Sequence, residues 1–279
     1  MITIGLTGWS DHDLLVIDKS RKLEDYASHF PFVELDTSFY AIPSEKNMLS
    51  WMNKTPENFQ FIPKAFQAMT QHKEWIDFFP SQEIMFQHFI AAFNPMIESG
   101  KVKSFLFQFP PFFHFTDENL VYLKNIRSWM GDLPVAIEFR HSSWFTEKNQ
   151  PLTLTFLENH QFIHVTIDQP QTPGNSIPMI TATTSKKLSL FRLHGRNYEG
   201  WLNSSGPNWR EKRTFYDYSE AELISFVPII RSLENTSTEV AVIFNNNSGG
   251  HAASNAKYLQ KLLNLTFNQL GPQQLNLFD

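Results

Sequence analysis

Charged and polar side chains recur at alternate positions near the ends of several apolar runs in the sequence. The pairs are Glu34 with Asp36, Glu138 with Arg140, Thr166 with Asp168 and Arg192 with His194, while Lys64, Gln108 and Asn245 end three further runs. In an extended strand, residues two apart face the same side. Carboxylates and imidazoles suit general acid–base chemistry near neutral pH, and cations stabilise developing negative charge. The spacing therefore predicts one polar surface with the residue types of an active site.

The residue types suggest a role for each member of this surface. Glu138 is the predicted acid or base, and His194 is the predicted second proton-transfer group. The supporting roles fall to Lys64, Arg140 and Arg192, which would stabilise negative charge, and to Asp168 and Glu34, which would orient the other groups or hold a divalent metal ion. The alternative is an internal salt-bridge network, such as Glu138 with Arg140 or Arg192, that only fills the protein interior.

Two glycine-containing segments, 194–196 and 245–251, follow the last two apolar runs. The second, Asn-Asn-Asn-Ser-Gly-Gly-His, precedes a predicted helix, where free backbone amides and the helix dipole favour an anion. We therefore predict phosphate binding beside Arg192, Arg196 and the Gly249–Gly250 amides; the alternative is an ordinary glycine-rich turn. The full set predicted to contact a small anionic ligand is Arg140, Arg192, Arg196, Gln108, Asn245, Asn246, Gly249, Gly250 and, as stacking aromatic rings, Trp9 and Tyr40.

Eight strand-like runs are spread over the chain and would carry these side chains. They are Ile2–Thr7, Phe32–Asp36, Phe59–Lys64, Ser104–Phe109, Pro134–Arg140, Phe162–Asp168, Leu188–His194 and Glu239–Asn245. Eight strand–helix units in about 250 residues are typical of a (β/α)8 barrel, also called a TIM barrel, in which the active site lies at the carboxyl ends of the strands. We predict a single α/β TIM-barrel domain over residues 1–266, with Asp168 and the other strand-end side chains facing one cavity. A doubly wound open sheet is the alternative.

Helix signals lie between the runs. An amphipathic stretch covers Lys22–Phe30, Ser44 has the position of an N-cap for a helix through Trp51, and a last helix is predicted over Ala252–Leu265. Ser219 and Glu222 have capping-box spacing before Leu223–Leu233, a helix that Pro228 should bend or interrupt.

Composition excludes several classes of function. The 279 residues include no cysteine, which rules out disulfides, thiolate metal sites and a cysteine nucleophile. A net charge of −5 without a basic run argues against a general nucleic-acid-binding surface. Neither a secretory signal nor a membrane-spanning apolar stretch is visible, so a cytoplasmic protein is predicted. Dinucleotide-fold, P-loop and nucleophile-elbow glycine motifs are absent, so no nucleotide cofactor is indicated.

The last residues, 267–279, form a separate predicted tail. Its sequence Gln274-Leu275-Asn276-Leu277-Phe278 places large apolar side chains on a polar chain end. The stretch resembles the short peptide with which bacterial replication and repair proteins dock on the DNA sliding clamp, where Leu and Phe fill an apolar pocket. The alternative is that these side chains fold back on the barrel. The resemblance implies a partner in DNA metabolism.

Several longer segments resemble one family. VELDTSFYAIPSEKNMLSW (33–51), FLFQFPPFF (105–113), AIEFRHSSWF (136–145), LFRLHGR (190–196) and VIFNNNSGGHAASNAKYL (242–259) are similar to the YecE-like family, also called domain of unknown function 72. The resemblance implies a TIM barrel without an established activity. The matching positions are Glu34, Thr37, Phe39, Tyr40, Pro43, Lys64, Gln108, Pro110, Pro111, Glu138, Arg140, Trp144, Asp168, Arg192, His194, Gly195, Asn245 and Asn246. Pro63 departs from the family pattern.

Two functional interpretations follow. One is an enzyme with hydrolase-like acid–base chemistry on an anionic or phosphate-bearing substrate at the carboxyl end of the barrel. The other is a non-catalytic module that binds a ligand or a DNA end and is tethered to the clamp by its tail. The pKa values of Glu138 and His194 discriminate between them, because catalytic groups are often shifted towards neutrality.

Overall fold

Eight parallel β-strands form a nearly closed barrel in the computed structural model, which describes residues 1–203, 206 and 208–272. The strands are β1 (Ile2–Thr7), β2 (Phe32–Leu35), β3 (Gln60–Pro63), β4 (Phe105–Gln108), β5 (Val135–Glu138), β6 (Phe162–Asp168), β7 (Leu188–Leu193) and β8 (Glu239–Phe244). Their order around the barrel is β3-β2-β1-β8-β7-β6-β5-β4. Each strand thus lies beside its neighbours in sequence, and β1 pairs with β8 in a five-residue register.

The seam between β3 and β4 is held by isolated bridges. Phe61 pairs with Val102, and Lys64 pairs with Leu106, in both cases in parallel. The Ala65 amide also donates to the Leu106 carbonyl at 2.9 Å. These bonds close the circle, so the TIM-barrel prediction is confirmed and the open doubly wound sheet is excluded.

All eight predicted strands are present, but most end earlier than predicted. Asp36, Lys64, Arg140, His194 and Asn245 lie just beyond the ladders, where the chain turns into the loops. Because these loops begin at the carboxyl ends of the strands, the five side chains lie at that end of the barrel, which we call its mouth. The opposite end is closed by Lys103, whose ammonium group contacts Glu239 at 2.6 Å.

Ten α-helices occur among the described residues, mostly on the outside of the barrel. They are α1 (Lys22–Ala27), α2 (Thr37–Tyr40), α3 (Glu45–Asn53), α4 (Gln82–Glu98), α5 (Asp117–Met130), α6 (Asn149–Asn159), α7 (Tyr198–Leu202), α8 (Trp209–Thr214), α9 (Glu220–Glu234) and α10 (His251–Leu262). None of these helices is long and apolar enough to cross a lipid bilayer.

The helix-start signals read from the sequence are confirmed. Ser44 accepts a hydrogen bond from the Asn47 amide at 3.3 Å, and Ser219 forms a capping box with Glu222. The predicted interruption at Pro228 does not occur, because α9 continues to Glu234. Pro228 is exposed, so water can satisfy the carbonyl that its missing N–H leaves free.

After α10 the chain passes beside α1, the first helix. The Gly271 amide donates to the Ala27 carbonyl, at the end of α1, at 2.9 Å. The predicted docking motif Gln274–Phe278 lies outside the described residues.

Candidate functional site

A cavity of about 1150 Å³ opens at the carboxyl ends of the strands, and we call it the mouth cavity. It is bounded by the loops that follow the strands, including the α7–α8 segment between β7 and α9. The structure brings eight of the predicted site residues to its wall: Tyr40, Lys64, Gln108, Arg140, His194, Asn245, Gly249 and Gly250. Lys64 faces inward although Pro63 precedes it. Side chains from both halves of the chain therefore meet in one space.

A buried ionic cluster forms the floor beneath this cavity. The Arg192 guanidinium binds both carboxylate oxygens of Glu34 at 2.8 Å and also pairs with Glu138. Arg140 contacts the other oxygen of Glu138 at 2.5 Å. Glu34, Glu138 and Arg192 are each 0% exposed and do not line the cavity. Two carboxylates and two guanidiniums balance in charge, which offsets the cost of burying them.

His194 lies between this cluster and the cavity. Its Nε2 is 3.2 Å from Glu138, and its Nδ1 is 2.8 Å from the Asn245 amide nitrogen. Burial and the adjacent Arg140 guanidinium lower the pKa of His194 well below its usual range, although Glu138 opposes this shift. The imidazole is therefore neutral at pH 7, and the tautomer with its proton on Nε2 donates to the carboxylate.

The pKa of Glu138 is shifted in the direction that keeps the carboxylate ionised. Burial alone would raise the pKa of this carboxyl, but Arg140 and Arg192 outweigh burial and hold the pKa well below its usual range. Both members of the predicted acid–base pair thus move away from neutrality. An ionised carboxylate and a neutral imidazole suit binding and orientation better than proton exchange.

A second group of polar side chains lies on the β2–β3 side of the mouth. The Lys64 ammonium pairs with Asp36 at 2.8 Å and stands 4.8 Å above the Phe39 ring. The His72 ring packs edge-to-face on the Phe39 ring, with the ring centroids 4.9 Å apart. Burial, Lys64 and Arg140 lower the pKa of His72 to about 3. Burial is the largest cause of this shift, and the neighbouring cations add to it.

Arg213 and Lys212 are cations of the cavity wall that the predicted site did not include, and Arg213 is the more buried of the two. Its guanidinium stacks on the Trp201 ring at 3.8 Å, and Arg140 stands 4.9 Å from the same ring. Within the described ranges, no carboxylate lies at salt-bridge distance from Arg213. Burial and the nearby Arg140 lower the pKa of Arg213 to about 9, so it keeps its charge at pH 7. The result is an unpaired positive charge.

The α7–α8 segment places Arg213 because its two helices pack closely. A Cβ on Gly200 would lie 2.5 Å from the Lys212 carbonyl oxygen, so this contact requires glycine. The sequence signal was the cluster Trp209-Arg210-Glu211-Lys212-Arg213, which has three cations beside an aromatic residue. Its position in the loop after strand seven is one at which phosphate sites of these barrels occur.

The glycine-rich loop lies against the same segment. The Ser248 and Thr214 hydroxyls are 2.7 Å apart, one residue from Arg213. Gly249 and Gly250 have φ of 77° and 76°, a left-handed conformation that favours glycine, and α10 follows without a side-chain cap. The Gly250 amide donates to the Asn247 carbonyl at 3.0 Å, so Gly249 supplies the turn amide on the cavity wall that Arg213 also lines. A backbone amide before a helix together with a guanidinium favours an anion.

Asp168 and Arg196 do not belong to the mouth cavity, contrary to prediction. Asp168 pairs in register with Leu193, which faces outward because Arg192 and His194 face inward. Asp168 instead binds Arg196 at 2.7 Å on the outer side of the barrel, beside a separate smaller cavity. The predicted inward register of β6 is thus wrong by one residue.

Three further residues have places other than those predicted. Arg192 is held in the floor by two carboxylates, so it does not stand beside Gly249 and Gly250. Asn246 is buried and donates to the Tyr216 carbonyl at 2.9 Å, which supports a loop. Trp9 packs edge-to-face on Trp51 and does not line the cavity. Arg192 and Arg196 therefore do not line the cavity beside the glycine turn, whereas Arg213 does.

The acidic residues suggested as metal ligands are engaged with guanidinium groups. Glu34 and Glu138 bind Arg192, and Asp168 binds Arg196. Over residues 1–203, 206 and 208–272, no three histidine, aspartate or glutamate side chains are grouped so that they could hold a metal ion. The donor set therefore does not fit the divalent ion considered from the sequence.

With a TIM barrel and a polar mouth established, comparison with known proteins identifies the family. The model of the family described as "Protein of unknown function DUF72" matches residues 3–276. The chain belongs to this family, as the resemblance of its motifs implied.

Similar proteins support this assignment over the whole length. The chain is 44% identical over 282 residues to UPF0759 protein YunF of Bacillus subtilis, covering 100% of both chains. It is 28% identical over 163 residues to UPF0759 protein YecE of Escherichia coli, covering 55% of this chain and 54% of that protein.

Solved structures agree with the fold. The crystal structure of a DUF72 family protein from Enterococcus faecalis has a TM-score of 0.93 and 43% identity, covering 99% of this chain and 100% of the other. A DUF72 family protein from Thermotoga maritima gives a TM-score of 0.81 at 32% identity, covering 95% of this chain and 100% of the other.

Proposed function

We propose that the protein binds a phosphate-bearing organic anion in the mouth cavity. The observation that carries this proposal is the Arg213 guanidinium, which is charged at pH 7 and has no carboxylate partner among the described residues. Lys212 and the Gly249–Gly250 turn line the same cavity. A phosphate group can accept hydrogen bonds from a guanidinium and from helix-terminal amides together, which matches these donors.

Substitution Arg213→Gln tests this proposal. We expect phosphate-ester affinity to fall by about tenfold to a hundredfold, because a charge-assisted hydrogen bond contributes about 1.5–3 kcal/mol. Isothermal titration calorimetry measures the change. The matched control is Arg231→Gln, at a surface arginine of α9 with 47% side-chain exposure, which should leave affinity unchanged. Equal affinity of the wild type and Arg213→Gln would exclude this anchor.

Hydrolase-like chemistry is a second proposal, favoured by the contact between His194 and Glu138. His194 lines the cavity, whereas Glu138 lies behind it, so we assign Glu138 the orientation of the imidazole. Both ring nitrogens of His194 have partners, Glu138 and Asn245, so a role as a base towards the ligand requires the Asn245 amide to release Nδ1.

A screen of phosphatase, phosphodiesterase and glycosidase substrates with added Mg²⁺, Mn²⁺ or Zn²⁺ would reveal such an activity. Glu138→Gln should then lower kcat by at least about a hundredfold and shift the pH profile. The melting temperature of the variant separates this effect from loss of fold. Near-normal kcat in a folded Glu138→Gln protein would contradict the assignment, and no turnover at all would favour a non-catalytic ligand- or DNA-end-binding module.

Docking of the tail on the DNA sliding clamp is proposed from sequence alone. We expect a labelled Gly271–Asp279 peptide to bind purified clamp with about micromolar affinity, measured by fluorescence anisotropy. Leu277→Ala and Phe278→Ala should abolish binding, because buried apolar anchors carry most of the energy of such interfaces. Absence of binding up to about 1 mM would remove the proposal.

A further inference from the structure

The mouth cavity is larger than a phosphate group requires. Its volume of about 1150 Å³ is of the size that encloses a drug-sized organic ligand. Arg213 and Gly249 enter it from the loops after β7 and β8, whereas Lys64 and Gln67 enter from the loop after β3. In the strand order, β2 and β1 lie between β3 and β8. A ligand anchored at Arg213 would therefore place its organic part towards the β3 side.

Side-chain amides on the cavity wall are only half satisfied. Each uses one polar atom in a contact within the protein, as when Asn247 Nδ2 donates to the Thr7 carbonyl at 2.6 Å. The other polar atom of each has no hydrogen-bond partner among the described residues. The four amides are those of Gln67, Gln108, Asn245 and Asn247. The internal contacts orient the amides. The free atoms of Gln67, Gln108 and Asn245 are available to a polar ligand, whereas the free Oδ1 of Asn247 is buried.

Three aromatic rings of the cavity wall are covered by other groups. The Trp201 ring has Arg213 at 3.8 Å, and Phe109 stacks on Phe113 with centroids 4.0 Å apart. Phe39 has the Lys64 ammonium 4.8 Å from its centroid. A nucleobase would need an open ring face for stacking, and none of these three offers one. Tyr40 and Phe215 line the same cavity and are 40% and 55% exposed, so a comparison of sugar phosphates with phenyl phosphate decides between the polar wall and these rings.

Resting on the proposed anion binding, we infer that the ligand is a sugar phosphate. Its phosphate binds Arg213 and the Gly249 amide, and its hydroxyl groups bind the half-satisfied side-chain amides. Hydroxyl groups both donate and accept, so they match free amide oxygens, as at Gln67 and Asn245, as well as the free amide nitrogen of Gln108. A buried polar atom is costly without a partner, so each matched amide adds selectivity.

Calorimetry with the purified full-length protein tests this inference. The ligands are a set of pentose and hexose phosphates, the matching free sugars, inorganic phosphate and phenyl phosphate. We expect the preferred sugar phosphate to bind at least about tenfold more tightly than inorganic phosphate or phenyl phosphate. Gln67→Leu should remove most of that gain without changing inorganic phosphate affinity. Gln87→Leu, at an exposed glutamine of α4, is the matched control and should change neither.

The outcomes separate this inference from the function on which it rests. Binding of inorganic phosphate with no gain from any sugar would overturn the sugar assignment and leave anion binding intact. Tighter binding of phenyl phosphate would overturn it in favour of an aromatic ligand. Failure of every phosphate compound to bind would overturn both proposals. A gain that persists in Gln67→Leu would exclude recognition through that amide.

Discussion

Arg192→Met lowers the free energy of unfolding by about 3–5 kcal/mol, the usual cost of removing one partner from a buried ion pair. Arg192 is fully buried, and it is the group that holds Glu34 and Glu138 together. Without it, two carboxylates would share a floor in which only Arg140 remains as a cation. Urea unfolding at pH 7 measures the loss.

The matched control for this variant is Arg231→Met, at an arginine that pairs with Glu234 on the surface. Exposed pairs contribute up to about 1 kcal/mol, so this change should be small. Glu138→Gln should also cost less in the Arg192→Met background than in the wild type, because the two groups interact directly. An Arg192→Met protein within about 1 kcal/mol of wild type would show that the floor is not a coupled cluster.

Acidification from pH 7 to pH 5 should remove about 4 kcal/mol of unfolding free energy through His164 and His194 together. Burial lowers the pKa of His164 to about 4, and burial with Arg140 lowers that of His194. In the unfolded chain both return to a pKa of 6.5. Below pH 6.5 the unfolded state therefore binds more protons than the folded state. The free energy of unfolding decreases as the pH is lowered. Above 6.5 their contribution is constant.

Urea unfolding at a series of pH values measures this slope, so the absolute stability of each variant does not matter. His164→Asn and His194→Asn should each flatten the slope by about 1.4 kcal/mol per pH unit near pH 5. His88→Asn, at an exposed histidine of α4, should leave it unchanged. A wild-type slope that is flat between pH 7 and pH 5 would contradict the burial of two neutral imidazoles.

The barrel itself could be predicted because its signals are local and repeated. Eight apolar runs separated by helix starts such as Ser44 and Ser219 suffice for the strand count and the order of elements. The alternation of polar and apolar residues also placed Glu138, Arg192 and His194 correctly on the inner face. The positions next to them along each strand are apolar. What decided these cases was the contrast between neighbouring positions.

The same contrast was misleading in one strand and absent from one loop. His164, Thr166 and Asp168 alternate with apolar residues in β6, but all seven residues are buried, so polar side chains can also lie on the outer face, where Asp168 pairs with Arg196. Arg213 and Trp201 lie in a segment without periodicity, and their place depends on the packing of α7 on α8 at Gly200. The roles of Arg192 and Arg196 differ from prediction because their carboxylate partners come from distant strands and helices.

The central claim is that an anion binds in the mouth cavity between Arg213 and the glycine turn before α10. Phosphate titration of the isotope-labelled protein, followed through backbone amide chemical shifts, tests it most directly. The account predicts saturable shifts at Gly249 and Gly250 in the wild type that are much weaker in Arg213→Gln. Unchanged Gly249 and Gly250 signals at saturating phosphate, or shifts of equal size in both proteins, would contradict it.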